Sequence, residues 1–135
     1  MKLFYPFFTA LLCAMSAQVL AQQACLITSS DDELPIRMCQ QNMTIPDSLF
    51  TGSFCQPQIP DRTFNIDFVD HCPTGAYGVC EGATAQGVAY KQSIHYYSDK
   101  SDAPVLKAYC ERISKGVWLE PDQASLEQNS EAAQP

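Results

Sequence analysis

Basic residues are scarce in this chain. Eight Lys and Arg stand against fifteen Asp and Glu, giving a formal charge of −7, and no two basic residues are adjacent. A protein without a Lys/Arg cluster has little with which to neutralise a phosphate backbone or an anionic lipid surface, so nucleic acid is set aside as a partner. Histidine is scarcer still, with only His71 and His95. There is no Gly-rich phosphate loop, no His-Glu-x-x-His and no Gly-x-Ser-x-Gly, which removes the common nucleotide, zinc-protease and serine-hydrolase signatures. No Cys-x-x-Cys occurs either. That argues against a zinc ribbon and against a thioredoxin-type redox pair, and no metal or cofactor is expected.

One long apolar run is present, Leu3 to Leu20, preceded by Met1-Lys2 and followed by Ala21. Val19-Leu20-Ala21 puts small residues where a signal peptidase reads, so residues 1–21 are expected to be a cleaved signal peptide. Pro6, Thr9, Ser16 and Gln18 make the run a poor membrane anchor, and no membrane span is expected after cleavage. The compartment implied is the periplasm or the extracellular space.

Without Cys13 of the leader, six cysteines remain: Cys25, Cys39, Cys55, Cys72, Cys80 and Cys110. An even number in an exported chain reads as a disulfide framework. His71-Cys72 with Cys80 could be drawn as half a metal site, but bridged sulfurs are the simpler reading in an oxidising compartment. Residues 22–119 are expected to form one disulfide-rich domain, and residues 120–135, polar and acidic with Leu126 as their only large apolar residue, a disordered tail.

Apolar patterning gives the elements. Residues 24–28 and 36–39 flank the polar turn Ser29-Ser30-Asp31-Asp32 and read as a hairpin. Phe64, Ile66 and Phe68 alternate with Asn65 and Asp67, the mark of a half-buried strand. Residues 78–87 and 87–97 read as a second hairpin, with Tyr90, Ile94 and Tyr96 on one face and Ser93, His95 and Tyr97 on the outer one. Ser101-Asp102-Ala103-Pro104 signals a helix start, with Val105, Leu106, Tyr109, Cys110 and Ile113 as its apolar face and Gly116 as its end. Residues 117–119 read as a closing strand, and Pro46-Asp47-Ser48 opens a weaker helix broken near Gly52.

Cys25 to Cys55 and Cys80 to Cys110 have the same separation, and a shift of the chain by one constant offset lays the first pair on the second. The same shift lays Asp47 on Asp102, Phe50 on Val105 and Phe54 on Tyr109. Two repeat halves, 25–72 and 80–119, are therefore expected, each an internally duplicated ββα unit whose helix is bolted to its first strand. This symmetry predicts Cys25–Cys55, Cys80–Cys110 and, by remainder, Cys39–Cys72, with Cys72–Cys80 as the competing short-loop pair. The fold class is α+β: a small disulfide-stapled domain of antiparallel hairpins with two short helices.

Chemistry-bearing constellations are few. Asp67 or Asp70 with His95 or His71 is the only candidate acid–base set, and would suit a small secreted hydrolase. Asp31-Asp32-Glu33 lacks the ligand spacing of a calcium loop and reads as a solvated turn. Asn42-Met43-Thr44 is a glycosylation sequon. Tyr77, Tyr90, Tyr96, Tyr97 and Trp118 form the aromatic set, from which Tyr97, His95 and Tyr77 are the candidate binding surface for a protein or glycan. The reading that follows is an exported, non-enzymatic binding or structural module, with an inhibitor of a secreted hydrolase in the same class.

Overall fold

A computed structural model describes residues 24–29, 35–57, 59–85 and 87–121. Residues 1–21, read as a signal peptide, the Asp31-Asp32-Glu33 cluster and the expected tail beyond Pro121 lie outside the described residues. The architecture is a six-stranded antiparallel sheet with two short helices and three disulfides, a small α+β disulfide-rich domain as the patterning predicts. The strands are β1 (Ala24–Ser29), β2 (Arg37–Asn42), β3 (Phe64–Val69), β4 (Gly78–Thr84), β5 (Lys91–Tyr96) and β6 (Val117–Leu119), in the order β3-β1-β2-β5-β4-β6.

That order reads the same from both edges. β1, β2 and β3 stand to one another as β4, β5 and β6 do, and the two halves join through the antiparallel pair β2–β5. The repeated unit is thus ββαβ rather than ββα, because each half returns a closing strand to the outside of its first strand. One row of paired residues crosses the whole sheet: Phe68, Cys25, Gln40, Ile94, Cys80, Trp118. The pseudo-twofold passes between Gln40 and Ile94. Directly opposed residues share a face, so Cys25 and Cys80 project to the same side. Their bridges, Cys25–Cys55 and Cys80–Cys110, hold both helices there.

The first helix, α1 (Asp47–Leu49), runs straight into a π-helical turn, Phe50–Phe54, closed by Cys55 N–H donating to the Phe50 carbonyl at 3.1 Å. Phe50 and Cys55 are both fully buried, in a core with Ile27 and Ile45 that Met38, Leu49, Phe54 and Tyr90 flank. The second helix, α2 (Ala103–Arg112), buries Cys110 against Cys80, Ala83 and Trp118, with Ala103 and Leu106 beside it. It starts at Ala103 with Pro104 in its first turn, as the Ser101-Asp102-Ala103-Pro104 signal predicts, but the capping side chain lies earlier, at Asp99. The Asp99 carboxylate accepts from Ser101 N–H at 2.9 Å and Ser101 Oγ at 2.7 Å, capping a 3-10 turn over Lys100–Asp102 that leads into α2. A β-bulge between Cys80 and Ala83, with Gly82 at φ 71°, turns both of those residues toward α2.

Two glycines make the second half possible, through close approach. A Cβ on Gly78 would land inside the Trp118 indole. One on Gly116 would meet Cys80 Sγ and the Glu81 carbonyl, each at 2.7 Å. Gly116 is therefore needed where the chain passes over the Cys80–Cys110 bridge, whereas the left-handed residue ending α2 is Lys115, at φ 57°.

Candidate binding surface

The sheet face away from the helices carries the row Asp67, Leu26, Cys39, His95, Val79, Leu119. Alternation along β5 makes this the outer face, and on it the expectation of exposed residues is corrected. Residues 72–76 lie across it, held by Cys39–Cys72, by Cys72 N–H donating to Gln41 Oε1 at 3.0 Å and by the packing of Cys72 and Ala76. His95 is buried, at 6% exposure. Among the described residues its Nδ1 has no hydrogen-bond partner, and burial alone pushes its pKa down to about 4.

Tyr97, expected to be the most exposed aromatic, is half-buried. Its hydroxyl donates to the Pro73 carbonyl at 2.5 Å, its ring packs beside Cys72 and Ala76, and the Arg37 guanidinium sits 5.1 Å from the ring centroid. Burial carries its pKa to about 12 against the opposing pull of Arg37. Tyr97 is a clasp for the covering segment rather than an open contact.

The acid–base set does not assemble around His95. Asp67 shares its face but lies three strands away, with Leu26 and Cys39 between. Three strand spacings amount to roughly 14 Å, far beyond hydrogen-bond reach. His71 and Asp70 are exposed at the end of β3. Among the described residues no cluster of three His, Cys, Asp or Glu could hold a metal ion.

Tyr77 belongs to an aromatic stack on the helix-bearing side: Tyr77 to Tyr96 at 6.4 Å between centroids, then Tyr96 to Trp118 at 5.9 Å. Burial raises the Tyr96 pKa to about 12. Partial burial, then Asp102 and Asp99, raises that of Tyr77. The stack is mostly core, packed against the α2 cluster. The sequon residue Asn42 also has structural work: its Nδ2 donates to the Ile45 carbonyl at 2.7 Å and its Oδ1 accepts from Ile45 N–H at 2.8 Å.

An open apolar ridge lies on α2. Val105 is 72% exposed, Tyr109 54% and Ile113 59%, one residue per turn on the helix's outer face. Sequence reasoning places them on the buried face together with Leu106 and Cys110. A helix of ten residues lying on a sheet buries only one stripe, and here Ala103, Leu106 and Cys110 take it. The usable signal was the width of the apolar arc, which is more than one contact can cover. Beside Ile113 a groove of about 590 Å³ opens between the end of α2 and the β4–β5 connection, lined by Thr84, Val88, Arg112, Ile113 and Lys115 among others. Thr84 fixes its floor, with its N–H and Oγ1 both donating to the Ser114 carbonyl at 2.8 and 3.0 Å.

The repeat supplies an internal comparison. The outward residues of the first helical segment are Asp47, Ser48, Gly52 and Ser53, all polar or small. Equivalent elements in one chain, facing the same solvent, differ in that only α2 presents large apolar side chains. No family model, curated protein or solved structure matches the chain.

Proposed function

We propose that the protein is an exported, non-enzymatic binding module whose contact surface is the outer face of α2 together with the adjoining groove. One observation carries this: the exposed Val105–Tyr109–Ile113 ridge on a helix whose repeat counterpart is polar outside. Contiguous exposed apolar surface rimmed by polar residues marks interaction sites, and Tyr and Arg are among the residues enriched at binding hot spots. Three disulfides fit an oxidising compartment, and the leader at residues 1–21 supplies the export route. A bridged scaffold presents its ridge with little conformational freedom left to lose on binding.

Among the described residues no helix is long and apolar enough to cross a membrane. Affinity capture with the oxidised chain from its own compartment tests the reading. Partners retained by the parent chain and by Ser53→Glu are expected to be lost with Tyr109→Glu. Retention indifferent to Tyr109→Glu contradicts the assignment.

A further inference from the structure

We propose that the occupant of the α2 outer face is α2 of a second copy of this chain, packed antiparallel. This rests on the docking-face reading above and names its partner. Asp102, Val105, Tyr109 and Arg112 are all exposed and follow one another at intervals of three, four and three residues, the spacing of a coiled-coil seam. Both the spacing and the character of this seam suit a twofold axis. The order is acid, apolar, apolar, base. An antiparallel copy centred beside Lys107 sets Val105 against Tyr109 of the second copy and Asp102 against its Arg112. A parallel copy would set Asp102 against Asp102 and Arg112 against Arg112, and like charges face to face disfavour it.

Isologous contacts require such self-complementarity, and the first helical segment has none of it. Ile113 flanks the seam on the groove side. Antiparallel axes also oppose the two helix dipoles favourably. A helix of ten residues is about 15 Å long. One such seam covers less than the ~800 Å² per partner of a standard interface, so a reversible dimer of modest affinity is expected.

Sedimentation equilibrium of the oxidised chain over a wide concentration range tests this, with charge exchange as the specific probe. The parent is expected to dimerise. Asp102→Arg alone and Arg112→Asp alone are each expected to weaken self-association by about tenfold or more, because each places like charges across the seam. Mixing the two single variants is expected to restore a heterodimer, since each then meets its opposite at both ends, and the double exchange is expected to restore a homodimer. Ser53→Glu is expected to change nothing.

These substitutions lie at exposed positions, and unchanged near-ultraviolet circular dichroism checks the fold. Failure of the mixed variants to recover, with the parent dimeric, overturns the antiparallel seam. A parent that stays monomeric at millimolar concentration yet retains a different protein through Tyr109 overturns the second-copy assignment alone. A monomeric parent that retains nothing through Tyr109 overturns both readings.

Discussion

His95 is the residue whose behaviour departs furthest from its place in the sequence. An imidazole alternating with Ser93 and Tyr97 reads as solvent-facing, yet it sits under residues 72–76, and its Nδ1 has no hydrogen-bond partner among the described residues. Burial lowers its folded-state pKa to about 4 from the ordinary 6.5. The unfolded chain therefore binds more protons than the folded one between those values, and stability rises with pH across that window. The contribution is complete above about pH 6.5 and is lost as pH falls to about 4, a change of about 3 kcal/mol. Urea unfolding at a series of pH values is expected to show this slope, and His95→Leu to flatten it. An unchanged slope in the variant would place the titration elsewhere. Gly78 and Gly116 are required by close approach. Their roles, under the Trp118 ring and over the Cys80 sulfur, come from contacts between β4 and β6 that no local pattern reveals.

At the scale of elements, the two helices show how a repeat legible in cysteine spacing can mislead in detail. Counting back from the bridged cysteine, Phe50 is five residues before Cys55, while Leu106 is four before Cys110. Both fill the space beneath their helix. The π-helical turn inserts the extra residue, so Phe50 corresponds to Leu106 and not to Val105 as a constant shift implies. Substitutions distinguish the two registers. Phe50→Ala is expected to cost about 3–5 kcal/mol and Leu106→Ala about 2 kcal/mol, whereas Val105→Ala is expected to stay within about 0.5 kcal/mol. Denaturant midpoints at constant slope check this, and a large loss at Val105 would restore the constant shift. The strands were easier to read. Phe64, Ile66 and Phe68 share a face as their alternation requires, because a strand's period survives whatever packs on it.

Across the whole molecule, what the sequence hid is what covers each surface. Period and cysteine count locate the sheet and the helices, but the covering of the second sheet face depends on a segment with no period of its own, residues 72–76. The Cys39–Cys72 bridge has no counterpart in the second half, and it holds that segment down. The joint Cys39→Ala and Cys72→Ala variant is expected to lose about 2–5 kcal/mol. It is also expected to let the His95 pKa, followed by NMR titration, climb from about 4 toward its ordinary value. A His95 pKa that does not move would mean the segment stays in place without the bridge. The same asymmetry governs the candidate surface. Tyr97 and His95 are placed outward by parity, yet tertiary cover takes most of their exposure, and Tyr77 is half-buried in its stack, while α2 keeps an apolar ridge that helical spacing assigns to the core.

On the proposed assignment the working surface is the outer face of α2, and the matching face of the first helical segment is inert. Site-specific photo-cross-linking on the oxidised chain tests it most directly, with a photoreactive residue at position 109 in one preparation and at position 53 in another. Efficient cross-links from position 109, mapping to peptides that contain Asp102–Arg112 of a second copy, with only background from position 53, are the predicted result. Equal yields from the two positions, or none from position 109, would contradict it.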